Sequence, residues 1–347
     1  MAYRLLVPSY TDAIYTISFD SEAGSVEVVS TTRVGHHPSW VTPHPDDPAL
    51  VFAGLEQAEG VVLAIKFDDK GEGNVVGRAS SGGADPCSLL ATKDELLVAN
   101  YSSGSISSIP ISPKQPYFLA KSPKIVSFSG SGPNADRQEA PHAHQVYLHP
   151  ETNELLVPDL GSDKVWRFTK GADGSWSIRD HITYKAGDGP RHVALHDNHI
   201  FTALELSNGV AKHKLPSLPA SAAHVASAPT LSYPPPSTEM LVAEILIPPP
   251  NPSYPTPYVY VSNRNDPSPE GDTIAIFTTD LQLVAEVRTG LNHVRGMVFG
   301  GPNDKWLIAG GANGGGVTVF ERVDGGKGLK KIANNPTVEK PTGFLWV

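Results

Sequence analysis

Polar and charged side chains that could do chemistry occur at two kinds of position in this chain of 347 residues. One group stands at the start of short apolar runs and the other at the end of such runs: His142, His144, Arg191 and Arg295 in the first group, and Glu56, Asn100, Asp159, Glu205, Asn263 and Arg264 in the second. An imidazole titrates near neutral pH and can exchange a proton. A guanidinium binds a carboxylate or a phosphate through paired hydrogen bonds. If the fold brings them together, these groups predict proton-transfer chemistry on a small anion.

The apolar runs form a sevenfold repeat. Its copies begin at Leu5, Leu50, Leu96, Leu155, His199, Tyr258 and Lys305, which by subtraction lie 44 to 59 residues apart. Each copy is followed by a second strand-like run of alternating character, such as AIYTISFD or TIAIFTTD. A unit of about 45 residues with several antiparallel strands is the period of a β-propeller blade. We therefore predict an all-β, seven-bladed propeller that forms a single domain over residues 1–347.

A third run precedes the main strand in blades two to seven, and its counterpart for blade one is PTGFLWV at the end of the chain. We predict that this C-terminal strand pairs into blade one and closes the ring, which removes open sheet edges. A frayed apolar tail over residues 344–347 is the alternative interpretation.

The order of strands predicts where the polar side chains meet. The innermost strand of a blade and the next strand are antiparallel, so the start of the first and the end of the second lie at the same end of the propeller. We expect all the side chains of both groups around one mouth of the central channel. Arginines at the mouth of an otherwise acidic protein imply a small anionic ligand.

Composition narrows the classes of function. The net charge of −9 argues against nucleic-acid binding, which depends on neutralising phosphates with Lys and Arg. Neither a leader-like start nor a long apolar stretch is present, so we expect a cytosolic protein without a membrane partner. The single Cys87 rules out an intramolecular disulfide. The motifs GxSxG, HExxH, GxGxxG and the Walker loop are absent, and we expect no cofactor.

Several residues also have plainer explanations. His142 and His144 could ligate a metal, but no third ligand stands at a recognisable spacing, so we expect none; one of the two could simply satisfy backbone groups between blades. Glu205 and Arg264 could be ion partners that link neighbouring blades. Four other histidines are expected to be solvated, near turns or blade flanks: His149, His192, His196 and His199. Three inserts interrupt the repeat, at residues 112–140, 216–240 and 248–257, and the last two are Pro-rich surface linkers or lids.

Several segments together resemble the seven-bladed propeller lactonase family: GSGPNADRQEAPHAHQVYLHP, LLVPDLGSDKVWRF, GPRHVALH with ALELSNGV, AEILIP with VYVSNRN, and ADPCSLLATKDELLVANYSSGSI. That family contains propeller-type 6-phosphogluconolactonases and fungal 3-carboxy-cis,cis-muconate cyclases. The resemblance covers essentially the whole chain. Carried over by position, the cyclase-type catalytic set falls on His144, Arg191, Glu205 and Arg264. The Pro-rich inserts depart from the family pattern and leave the substrate open.

These observations lead to an expected function: a metal-independent lactonase acting on a small anionic lactone, such as 6-phosphogluconolactone. His144 would be the general base on water, Glu205 would orient that imidazole or share in proton transfer, and Arg191 would stabilise the oxyanion. Five residues are candidates for binding the substrate: Arg264, Arg295, Arg137, His142 and Asn263. The alternatives are a cyclase acting on a polycarboxylate and a non-catalytic interaction scaffold. The oligomeric state stays open.

Overall fold

The computed structural model describes residues 2–235 and 239–347. Within them the strands of the first four blades are β1 (Ala2–Val7), β2 (Ala13–Asp20), β3 (Ser25–Arg33), β4 (Pro38–His44), β5 (Asp47–Leu55), β6 (Val61–Phe67), β7 (Gly73–Ser80), β8 (Pro86–Ala91), β9 (Glu95–Asn100), β10 (Ser105–Pro110), β11 (Lys124–Ser127), β12 (Tyr147–Leu148), β13 (Leu155–Asp159), β14 (Lys164–Lys170) and β15 (Trp176–Thr183).

Blades five to seven follow the same order along the chain. Their strands are β16 (Pro190–His196), β17 (His199–Leu204), β18 (Gly209–Lys214), β19 (Ala223–Pro229), β20 (Leu241–Leu246), β21 (Tyr258–Arg264), β22 (Thr273–Thr278), β23 (Leu283–Arg288), β24 (Asn292–Gly300), β25 (Trp306–Gly314), β26 (Gly316–Val323) and β27 (Gly328–Asn335), and the chain ends with β28 (Leu345–Trp346). Two short 3-10 turns, Pro302–Asp304 and Asp324–Gly326, flank strands of blade seven.

The described strands form seven four-stranded antiparallel sheets. Six sheets take four consecutive strands each, with β4, β8, β12, β16, β20 and β24 innermost. The seventh has the order β28-β1-β2-β3, in which Leu5 lies opposite Trp346 and Leu6 opposite Leu345. The C-terminal strand thus lies inside β1. The predicted all-β, seven-bladed propeller is confirmed.

The core lies between adjacent blades. Second strands such as β5 and β9 are buried on both faces, so their sequences are nearly continuous apolar runs. Leu5 and Phe19 of blade one, for example, pack with Trp306 and Val319 of blade seven. Outermost strands alternate between buried and exposed residues because one of their faces meets water. This packing fixes the inner strand ends that carry the polar groups.

The inner strand of blade four is irregular. Only Tyr147–Leu148 pairs regularly with β13, and a single bridge joins Ala143 to Asp159. The buried Asp159 carboxylate accepts the backbone N–H of His142 at 2.7 Å and of Gly161 at 3.1 Å. The Asp159 side chain therefore takes the His142 N–H, which a regular ladder would use, while His144 N–H still donates to the Pro158 carbonyl.

The described parts of both Pro-rich inserts are docked on the blades. The buried Arg167 donates to the carbonyl oxygens of Pro216 at 2.7 Å and Ala220 at 2.8 Å. In the second insert the Tyr254 ring lies 3.8 Å from the Arg322 guanidinium, and its hydroxyl donates to the Arg322 carbonyl. Residues 236–238 of the first insert lie outside the described residues. Nowhere in the described chain is there a helix with the length and apolar character needed to cross a membrane.

Candidate active site

One mouth of the channel holds a cavity of about 410 Å³. Its lining includes six of the residues selected from the sequence: Glu56, Arg137, His144, Glu205, Arg264 and Arg295. They come from ends of second strands and starts of inner strands, apart from Arg137, which belongs to the insert at 112–140. Arg191 reaches the same site through its contact with Glu205.

Glu205, the residue after β17, is the centre of a buried ionic cluster. Its Oε1 accepts a hydrogen bond from Arg137 at 2.5 Å. Its Oε2 lies 2.9 Å from Arg191 Nε and 2.9 Å from Arg264 Nη2. Neither contact has the geometry of a hydrogen bond, so both are charge pairs. Burial would raise the pKa of Glu205, but Arg264, Arg191 and Arg137 outweigh it and lower the pKa to about 2.

The arginines of this cluster remain charged. Burial, followed by the charges of Arg295 and Arg264, lowers the pKa of Arg191 to about 10. One Arg191 nitrogen, Nη1, donates to the Ala243 carbonyl at 2.5 Å. Arg264 places its Nη1 3.3 Å from His293 Nε2. At neutral pH both guanidinium groups are cations with fixed orientations.

His144 is a neutral imidazole in the wall of the cavity. Burial holds its pKa well below the usual 6.5, and the nearby charge of Arg191 is the second largest cause of this shift. Its ring packs edge-on to Tyr101, with centroids 5.5 Å apart, and to His192 at 5.2 Å. The backbone N–H is fixed by the Pro158 carbonyl at 2.9 Å, while Nδ1 is buried without a hydrogen-bond partner. The ring is therefore held in place as a neutral imidazole with Nδ1 unpartnered.

Arg295 forms a second cationic corner of the cavity. Its guanidinium lies 4.8 Å from the centre of the Tyr10 ring and 3.7 Å from Glu56 Oε2. Tyr10 also donates its hydroxyl proton to Glu56 at 3.3 Å. Burial would lower the pKa of Arg295, but Tyr10 and Glu56 raise it above its usual value. The corner is distinct from the Glu205 cluster.

The charges around the cavity do not balance. Three arginines and two glutamates line it, and Arg191, which contacts Glu205 from behind the lining, brings the excess to two formal positive charges. His293 adds none, because burial and then Arg264 lower its pKa to about 3. Cys87 also lines the cavity, but burial raises the pKa of its thiol and leaves it a weak nucleophile. Such a cavity suits a ligand with two negative charges.

His142, predicted to bind the substrate, does not line the cavity. Its ring stacks on Tyr101 with centroids 4.4 Å apart, and its two nitrogens face the Tyr101 carbonyl and Glu139. The rings of His142 and His144 both contact Tyr101, but only His144 lines the cavity. Across the described chain, no three His, Cys, Asp or Glu side chains are grouped so that they could hold a metal ion.

Asn263, also predicted to bind the substrate, does not line the cavity either. It is fully buried and its amide bonds to Thr230 and Thr273, which fixes strand ends within blades five and six. Successive strand residues point to opposite faces, so Arg264 enters the cavity and Asn263 does not. Asn100 and Asp159, from the same group in the sequence, also make structural hydrogen bonds.

The structure contradicts the expectation for His192. It was expected to be solvated, but it is only 1% exposed, and its Nδ1 lies 2.8 Å from Glu244. It belongs to an innermost strand, where both faces are covered. His293 in the cavity wall was not among the residues predicted for the site. The pattern His293-Val-Arg295 repeats the spacing of His142-Ala-His144 and could have identified it.

The family model described as "Lactonase, 7-bladed beta-propeller" matches residues 4–346. The chain belongs to this family. A protein of Arthroderma benhamiae named "Probable 6-phosphogluconolactonase" is 27% identical over 98% of this chain and 88% of its own length. The 6-phosphogluconolactonase of Bacillus subtilis is 25% identical over 90% of this chain and 88% of its own length. The solved structure of the periplasmic gluconolactonase of Pseudomonas aeruginosa has a TM-score of 0.82 and 21% identity, covering 100% of this chain and 99% of that one, a likeness of fold alone.

Proposed function

We propose that this member of the lactonase family hydrolyses a small lactone with about two negative charges, such as a phosphorylated sugar-acid lactone. The observation that carries the proposal is a group of four arginines and two glutamates, five of which line the cavity, beside a buried, neutral imidazole. The relative from Bacillus subtilis is named 6-phosphogluconolactonase, which makes 6-phosphogluconolactone the first substrate to test.

In the proposed reaction His144 removes a proton from the water that attacks the lactone carbonyl, and the imidazolium returns that proton to the ring oxygen as the ring C–O bond breaks, which gives the open hydroxy acid. The low pKa keeps the free imidazole unprotonated and ready to act as a base. A bound dianion would offset the field of the arginines and move this pKa towards neutral. General bases are most effective when their pKa lies near the working pH. Binding of the charged substrate would then improve the base.

Arg191 stabilises the negative charge that develops on the carbonyl oxygen. Arg264 and Arg295 hold the anionic group of the substrate. The role expected for Glu205 at the imidazole is replaced: its three contacts are with arginines, and a pKa of about 2 makes it a poor proton carrier. Glu205 instead aligns Arg191 and Arg264.

A lactone-forming cyclase is the second candidate. The separate corner around Arg295 could hold a further carboxylate of a polycarboxylate substrate. A panel of 6-phosphogluconolactone, a neutral aldonolactone and a carboxymuconate separates the candidates. We expect the highest kcat/KM with the phosphorylated lactone. The neutral lactone should have a lower kcat/KM, mainly because its KM is higher. If only the carboxymuconate were turned over, the proposed function would be a cyclase and not a hydrolase.

Variants test the roles on the best substrate of the panel. His144→Ala should lower kcat by about 10² to 10⁴, the usual range for a general acid or base. Arg264→Ala should mainly raise KM, because it removes an anion contact that exists before the transition state. The exposed His181 provides the control variant His181→Ala, which should leave both constants unchanged. Near-normal turnover by folded His144→Ala would disprove the assignment of the base.

A further inference from the structure

Glu244 is a buried carboxylate that the proposed reaction leaves without a role. It lies on the innermost strand β20 and borders a second cavity, of about 340 Å³, deeper along the channel. Trp40, Ile245 and Met297 also line that cavity, which is largely apolar. Glu244 Oε1 accepts the backbone N–H of Ile245 at 3.0 Å and lies 2.8 Å from His192 Nδ1.

His192 stands between Glu244 and the cluster at the mouth. Because an ionised carboxylate can only accept hydrogen bonds, the contact at 2.8 Å requires a proton on His192 Nδ1. In the neutral ring the lone pair is then on Nε2, which lies 3.4 Å from Arg191 Nη1. Burial, the leading influence, lowers the pKa of His192 and so favours the neutral ring. Arg191 Nη1 can therefore donate to His192.

We propose that Glu244 and His192 are positioning residues for Arg191: Glu244 selects the Nδ1-protonated ring of His192, and the free Nε2 holds Arg191 Nη1 on the channel side. The second anchor of Nη1 is the carbonyl of Ala243, the neighbour of Glu244 on β20. Two contacts from one region thus fix the guanidinium and leave its other N–H groups for Glu205 and the substrate. The kinetic part of this inference rests on the proposed function.

Loss of Glu244 would remove the acceptor that favours a proton on Nδ1 and would so weaken the preference between the two neutral forms of the ring. In the form with a proton on Nε2, this N–H would point at an N–H of Arg191, and two donors that face each other repel. The guanidinium would then turn away from the position in which it meets the oxyanion. Since this contact matters most in the transition state, kcat should fall more than KM rises.

The first experiment needs no substrate. Long-range ¹H–¹⁵N NMR of the full-length protein, with His192→Gln used to assign the ring, should find Nδ1 protonated and Nε2 unprotonated at neutral pH. Glu244→Gln keeps an acceptor oxygen, so His192 should keep its proton on Nδ1. Glu244→Leu has no acceptor, so the form with the proton on Nε2 should become populated. A proton on Nε2 in the wild type, or an unchanged form in Glu244→Leu, would overturn the inference even if no lactone is turned over.

The second experiment compares two amides at position 192. Gln places its oxygen near the position of Nε2 and should keep kcat within about threefold. Asn reaches only the position of Nδ1, so it loses the acceptor for Arg191 and should lower kcat by about 10- to 100-fold, the value of a hydrogen bond to a charged group. If kcat fell equally in both variants, or if only KM rose, His192 would have a structural role alone. His181→Asn is the surface control.

Discussion

Replacing Glu205 by Gln tests whether one carboxylate holds the arginine cluster together. The amide has nearly the same shape but no charge, so three guanidinium groups lose their common counter-ion. Removing one partner of a buried ion pair destabilises a protein by about 3 to 5 kcal/mol. The pKa of about 2, against an ordinary 4.5, independently corresponds to about 3 kcal/mol. We expect the free energy of unfolding to fall by about 3 to 5 kcal/mol.

Urea unfolding at pH 7 measures this loss, and Glu321→Gln is the matched control. Glu321 pairs with Lys305 at 2.8 Å on the surface, where a pair contributes about 0 to 1 kcal/mol. Because the pKa of Glu205 is depressed, its contribution exists above pH 4.5 and is lost as the pH falls from 4.5 towards 2. Wild type and Glu205→Gln should therefore converge in stability at low pH, and the control should not show this convergence.

Phosphate provides a second measurement on the same variant. With Glu205 neutral, the cavity has one more excess positive charge and should bind a dianion more tightly. A ligand at 100 times its Kd stabilises the folded state by about 2.7 kcal/mol. Inorganic phosphate should therefore raise the Tm of Glu205→Gln more than that of the wild type. If Glu205→Gln were as stable as Glu321→Gln, or gained no more than wild type from phosphate, the reasoning about the cluster would be refuted.

Three further predictions concern the rest of the molecule. Activity should survive EDTA, because the His142 ring nitrogens already face protein acceptors; a loss that one divalent ion restores would contradict this. Deleting residues 343–347 removes the strand paired with β1 and should lower the Tm, so an unchanged Tm would argue against closure by this strand. Burial, then His224, lowers the pKa of His213 to about 4, so its neutral ring contributes up to about 3 kcal/mol above pH 6.5, which is lost as the pH falls to 4. His213→Phe should flatten that part of the stability profile, and an unaltered slope would assign it to other groups.

The sequence predicts the propeller well because the repeat is local and regular. Each blade uses short strands whose order follows the chain, so the period and the alternation of residues suffice to predict the mouth of the channel. Blade four is the exception. There the pairing with β13 is interrupted between the Ala143 bridge and Tyr147, and no periodic pattern in the sequence indicates this interruption.

The pairing of charges was harder to predict than their location. Glu205 contacts Arg137, which lies 68 residues away in an insert without a position in the repeat. Asn263 and Arg264 are neighbours in sequence, but strand geometry sends them to different surroundings. His192 was misjudged because a polar residue near a turn was assumed to meet water. Its partner Glu244 comes from the next blade, which sequence spacing alone does not reveal.

The placement of Glu205 among the arginines bears on how such a site could favour the transition state. Four unpaired arginines would attract the resting anion strongly, and binding that is equal in both states lowers KM without raising kcat. Glu205 offsets part of that charge and fixes Arg191 and Arg264 before the substrate arrives. Preorganised charges need little rearrangement when the oxyanion forms, which is where electrostatic stabilisation is most effective. On this argument Glu205→Gln should bind phosphate more tightly and yet turn over substrate more slowly, a combination that a purely structural role for the carboxylate does not predict.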